Sequence, residues 1–172
     1  SYSFDMLGES ALTANDANKY FNDYMTAIKS VGRKSVNQSD PTNAATVSIK
    51  LSALHPRYEV ANSERVMTEM FDTVLLLIEK ARELKVGLTI DAEEADRLEL
   101  SLHLFEKLYR HPTTQGWGKL GIVIQTYSKR ALPVLAWLAA LAKEQGDVIP
   151  LRLVKGAYWD TEIKLSQQNG FA

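Results

Sequence analysis

Glu9, Lys50, Asp91, Gln125, Arg152 and Lys155 each follow or interrupt a short apolar run, so each stands where a strand would deliver it. Three chemistries fit such a set. A desolvated amine on Lys50 or Lys155 can attack a carbonyl and form a Schiff base, as in a lyase. Glu9 and Asp91 can ligate a metal, but His55, His103 and His111 lack paired ligand spacing, and no metal site is assigned. Arg152 and Gln125 can donate to the polar edge of a flavin ring, where a cation stabilises the reduced, anionic form and favours hydride acceptance. Residue types and spacing leave the first and third chemistries open. Each residue also has an ordinary structural role. Glu9 and Asp91 can cap helices, Lys50 can be a solvated strand end, and Gln125 a satisfied loop amide. The functional reading comes from the conjunction.

The elements that must position these residues repeat one pattern. Ile149 to Asp160 begins as an apolar run holding Arg152 and Lys155, passes through Gly156 and two aromatics, and turns helical after Asp160, which can cap that helix. Charged groups inside a sheet need polar or anionic partners. Four earlier runs end alike: Tyr2 to Leu7 before Glu9, Thr46 to Leu51 around Lys50, Val86 to Ile90 before Asp91, and Leu120 to Ile124 before Gln125. Between them lie helical patterns. Thr13 to Asp16 reads as a capping box opening a helix that ends before Gly32. Asn62 or Ser63 caps an amphipathic helix with Met67, Met70, Phe71, Val74, Ile78 and Ala81 on one face. Another runs from Leu98 to Leu108, and a fourth starts at Ser128 with Pro133 near its first turn. Ser35 to Ala45 and His111 to Gly118 read as loops, and the sequon at Asn37 to Ser39 is treated as chance.

Strands alternating with helices predict an α/β fold with a parallel sheet. No G-x-G-x-x-G or P-loop follows the first strand, which weakens an open nucleotide-binding sheet. The pace matches a (β/α)8 TIM-like barrel of which about five β/α units are present, so residues 1–172 are expected to form a partial barrel domain lacking its C-terminal units. In such a barrel the active site lies at the carboxyl ends of the strands, where the charged set falls.

Composition narrows the classes. The chain has 172 residues, a formal net charge of −1 and no cysteine. That balance carries no nucleic-acid footprint, and thiolate metal sites and disulfides are excluded. The apolar run Ala131 to Ala142 is too short to span a bilayer, and no signal peptide is visible at Ser1. The expectation is a cytoplasmic protein cut from something longer.

The segments Ser3-Phe-Asp-Met-Leu-Gly-Glu9, Ser48 to Tyr58, Ile90 to Glu99, Val123-Ile-Gln125 and Arg152 to Asp160 together resemble the proline dehydrogenase domain of the proline utilization A family, nearly end to end. The resemblance implies a distorted (β/α)8 barrel holding FAD. It also implies oxidation of L-proline to Δ1-pyrroline-5-carboxylate by hydride transfer to flavin N5, with electrons passed to quinone. It places Arg152 beside flavin N5, Gln125 on the pyrimidine edge, and Asp91 under the ring. Ala92, Val123, Val154, Gly156, Ala157 and Tyr158 line the cofactor, with Trp159 near the adenine end. Lys50 pairs with the substrate carboxylate, and Glu9 matches a position that pairs with an arginine on the last barrel helix. The longer protein would contact the membrane peripherally, and DNA only through a separate DNA-binding module. The isolated chain, lacking the last units and their carboxylate-clamping arginines, is expected to be inactive. The opposing expectations are a non-catalytic interaction module, or the Schiff-base lyase using Lys50 or Lys155.

Overall fold

In the computed structural model of the protein, the apolar runs become strands, the central ones buried on both faces and the outer two largely exposed, and the amphipathic stretches between them become helices laid on the sheet. The structure describes residues 3–6, 8–35 and 45–171. In chain order the elements are β1 (Ser3–Asp5), α1 (Ala14–Ser35), β2 (Thr46–Ile49), α2 (Ser63–Glu83), β3 (Gly87–Ile90), α3 (Leu98–Tyr109), β4 (Leu120–Gln125), α4 (Ala131–Gln145), β5 (Leu151–Val154) and α5 (Trp159–Gln168). All neighbouring strands are parallel, in the order β1-β2-β3-β4-β5. A doubly wound sheet would reverse direction at a switch point. Strictly sequential order is that of a barrel wall, as expected from the sequence.

The sheet is curled. Parallel neighbours stand ~4.8 Å apart, so a flat sheet would hold β1 and β5 about 19 Å from each other. Yet Arg152 on β5 donates to the Ser3 hydroxyl on β1 at 3.1 Å. Outside the curl, Val47, Ile49, Leu88, Ile90 and Ile122 pack with helix residues such as Ile28, Val74, Leu77, Leu104 and Leu138 in one apolar cluster.

Local expectations mostly hold, with instructive departures. The Thr13–Asp16 capping box is present: Thr13 N–H donates to Asp16 Oδ2 at 2.9 Å, and Asp16 N–H to Thr13 Oγ1 at 3.1 Å. α1 does not end before Gly32 but runs on to Ser35. A Cβ at Gly32 would lie 2.9 Å from Leu84 Cβ, so this glycine allows close approach to the end of α2 rather than a stop. Asn62 precedes α2 but makes no side-chain cap bond; it ends the 3-10 turn Val60–Asn62, and its amide donates to Glu59 Oε1 at 3.1 Å. α4 starts at Ala131, not Ser128, with Pro133 in its first turn, where no N–H is needed. Asp160 lies within the first turn of α5 and does not cap it, since the preceding position is Tyr158. β1 ends at Asp5, four residues before Glu9, so the strand's carboxyl end was misplaced by the sequence reading. The sequon lies outside the described residues. No helix among the described residues is long and apolar enough to cross a membrane.

Candidate active site

Strand register sets the site. Asp5, Ser48, Thr89 and Gly121 are aligned across β1 to β4. One step beyond, Lys50 and Asp91 follow the pair Ile49–Ile90, and Val123 pairs with Arg152. Alternation sends both rows to the inner face of the curl, opposite the helices. The inner face at the strands' carboxyl ends is therefore polar where Asp5, Ser48, Lys50, Thr89, Asp91 and Arg152 fall, with Gly121 and Val123 of β4 set among them.

These side chains form one chain of alternating charge. Lys50 Nζ is 3.2 Å from Asp5 Oδ1 and 3.5 Å from Asp91 Oδ2. Asp91 Oδ1 in turn accepts from Arg152 Nη2, and Arg152 Nη1 donates to Ser48 Oγ at 3.0 Å as well as to Ser3. Two carboxylates and two cations sum to no net charge, which offsets the cost of burying the two inner members, Lys50 and Asp91. The Asp91 side chain is only 7% exposed. Burial pushes its pKa up, against the pull of Arg152. Burial draws the Lys50 ammonium down, but the hydrogen bond to Asp5 and the field of Asp91 outweigh it and its pKa is raised. The Lys50 main-chain N–H is held by the buried Tyr24 hydroxyl at 3.0 Å, fixing the base of the side chain.

A cleft of about 310 Å³ opens over this chain. Its floor is Lys50, Asp91, Ala92, Val123 and Arg152, and its wall is Val154 to Tyr158 with Gln125. Gln125 braces that wall: its Nε2 donates to Glu93 O at 2.9 Å and its Oε1 accepts from Ala157 N–H at 3.0 Å. Gly156 has φ +137°, and a Cβ there would run into the Tyr127 ring, so both conformation and packing require glycine. Tyr127 in turn hydrogen-bonds Glu162 on α5. Eleven of the residues expected from the sequence, Lys155 among them, thus meet in one place. Two do not line the cleft. Glu9 sits beyond β1 and accepts from the Tyr158 hydroxyl at 3.1 Å. Trp159 opens α5 and is 51% exposed.

The sequence reading missed Asp5, Ser3, Ser48 and Glu93. Glu93 is a buried tie: its Oε1 accepts from Ser52 N–H at 3.0 Å, its Oε2 faces Arg97 at 3.5 Å, and its carbonyl holds Gln125. For Asp5 and Ser48 the signal was the period of two, since Ser3, Asp5, Ser48 and Lys50 all fall on the polar phase of their strands. No spacing signal marks Glu93, which follows β3 in a loop.

A sequence model of the family described as proline dehydrogenase matches residues 1–172. The bifunctional protein PutA of Salmonella typhimurium is 50% identical over 169 residues, covering 98% of this chain and 13% of the relative. That of Rhizobium meliloti is 48% identical over 172 residues, covering 100% and 14%. Among solved structures, a variant of Bradyrhizobium japonicum proline utilization A superposes with a TM-score of 0.92 at 47% identity, over 98% of this chain and 17% of that one. Proline utilization A from Bdellovibrio bacteriovorus, inactivated by N-propargylglycine, gives a TM-score of 0.92 at 26% identity, over 99% and 19%. The chain therefore spans between an eighth and a seventh of the curated relatives' length.

Proposed function

The chain belongs to the proline dehydrogenase family, and we propose that its cleft is part of a site, completed by further β/α units, where L-proline is oxidised to Δ1-pyrroline-5-carboxylate. The observation that carries this reading is the meeting of Lys50, Asp91 and Arg152 in one cleft against the main-chain wall Val154 to Tyr158.

FAD fits the residues present. Arg152 carries five N–H donors, and Ser3, Ser48 and Asp91 take three of them. The remaining Nε–H and one Nη2–H have no partner among the described residues, and they suit the acceptor edge of a flavin ring. Gly156 and Ala157 offer a wall without bulky side chains. Arg152, Gln125, Asp91, Ala92, Val123 and the Val154–Tyr158 segment would hold the cofactor, with Trp159 toward its adenine end. When bound, FAD supplies the acceptor for the hydride leaving proline C5, and a quinone then takes the electrons.

The chain's own residues do the positioning, and holding reacting groups in a productive geometry lowers the barrier by removing entropy loss from the reaction step. Lys50, kept protonated by Asp5 and Asp91, attracts the substrate carboxylate and orients the ring. Asp91 holds Lys50 and Arg152 at a fixed separation, so substrate and cofactor ends of the cleft are set by one carboxylate. Glu9 stays near the wall through Tyr158. The same raised amine argues against the Schiff-base reading at Lys50, since a nucleophilic lysine needs a depressed pKa.

The test is Arg152→Met in the intact protein, followed by visible absorption. Wild type is expected to show flavin bands that bleach on adding proline, and the variant to lose most of the bleaching rate. Unchanged bleaching would remove Arg152 from its role. Absence of flavin from the wild type would favour a non-catalytic interaction module instead.

A further inference from the structure

We propose that Ser48 is a positioning residue for Arg152: a buried hydroxyl that sets the arginine's orientation without touching the cleft. This rests on the flavin reading of the cleft given above. Arg152 stands on β5, whose residues alternate between exposed and half-buried, so packing along its own strand does not fix its long side chain. One carboxylate, Asp91, holds Nη2. A single ion pair leaves the guanidinium free to swing about that contact, and a second fixed point is needed to define its plane. Ser48 supplies it at 3.0 Å on Nη1.

Ser48 is suited to this by where it sits. It is 1% exposed, on β2, between Val47 and Ile49, both fully buried. Its Oγ is therefore located by the packed ladder of β1, β2 and β3 rather than by solvent. Ser3, the other acceptor on Nη1, belongs to the exposed three-residue β1 and lies 3.4 Å from Ser48 Oγ, so it extends the anchor outward. The aligned residues between Ser48 and β5 are Thr89 and Gly121, small enough to leave Arg152 room to reach across. Ser48 is absent from the cleft lining, which means that any influence on chemistry there passes through Arg152.

The experiment uses the full-length holoenzyme with Ser48→Ala, Ser48→Cys, Arg152→Met and the Ser48→Ala/Arg152→Met pair. The flavin midpoint potential and the rate of flavin reduction at saturating proline are read for each. Ser48→Ala is expected to slow reduction about tenfold, the size of one lost hydrogen bond to a charged group, and to lower the potential. The KM for proline should move less than about twofold, because Lys50 is untouched. Ser48→Cys keeps the shape but offers only a weak acceptor, and should behave like Ser48→Ala. In the Arg152→Met background, Ser48→Ala should add nothing. If Arg152→Met alone changes neither readout, the flavin reading falls and this proposal with it. If Arg152→Met is impaired while either Ser48 variant matches wild type, or if the Ser48→Ala penalty persists beside Arg152→Met, the positioning role alone is overturned.

Discussion

β3 and β5 are both four-residue parallel strands read from similar apolar runs, yet they live in different surroundings. All four residues of β3 are buried, with β2 and β4 on either side. In β5 the residues alternate exposed and half-buried, and α5, which follows it, has no buried residue. β5 is held chiefly by its ladder to β4 and by the flanking bonds from Ile122 N–H to Pro150 O and Thr126 N–H to Val154 O. The lesson is that an apolar run specifies a strand, while burial is conferred by neighbours. The site straddles this divide. Lys50 and Asp91 come from the packed side, and Arg152 with the Lys155–Tyr158 turn from the sparsely packed side. Local opening is expected to concentrate where buried contacts are few, which is the Lys155–Tyr158 wall of the cleft rather than its floor around Lys50 and Asp91.

The contrast can be tested most strongly at Leu88. It is fully buried in β3, and Leu88→Ala should cost about 2–5 kcal/mol in chemical denaturation of the protein. A loss within about 0.5 kcal/mol, the range typical of surface substitutions, would erase the distinction between the two strands. A middle-sized effect is expected at Glu93, on the packed side. Burial holds its carboxyl above its ordinary value of 4.5, against the hydrogen bond from Ser52. An acid raised in this way stabilises the fold fully below its unfolded pKa, and that contribution is lost as pH rises through the folded value. Glu93→Gln does not titrate, so its melting temperature relative to wild type should climb from pH 4.5 toward neutrality. A difference that stays flat with pH would mean that the loop after β3 leaves the carboxyl solvated. The smallest effect is expected at Leu153, which is 55% exposed on β5, where Leu153→Ala should fall within about 0.5 kcal/mol.

The sequence made the five β/α units and their order legible, because the apolar period changes cleanly between strand and helix. Lys50, Asp91 and Arg152 stood out because charge at the end of an apolar run is costly and so informative. Asp5 and Ser48 did not, since small polar residues in an alternating strand look the same whether they face water or an arginine. Glu9 was read as the first strand's end because Met6 and Leu7 prolong the apolar run past Asp5, where pairing with β2 stops. Gly32 looked like a helix stop, because a glycine that admits a neighbouring helix end cannot be told from one that ends its own. The curl itself has no local signature, being the sum of small twists between neighbours.

The hydrogen bond from Arg152 to Ser3 joins residues 149 apart in sequence. A contact of that separation closes only after everything between has found its place, and its loop-closure entropy is met late. During synthesis the first four strands can pair as they appear, since each pairs with the strand before it. The charge relay from Asp5 through Lys50 and Asp91 must wait for β5 to bring its final cation. Until then Asp91 is a buried acid with one partner instead of two, and a nascent barrel wall holds its carboxylates in deficit. The arrival of β5 is thus also the step that balances the charge around Asp91 on the inner face of the sheet.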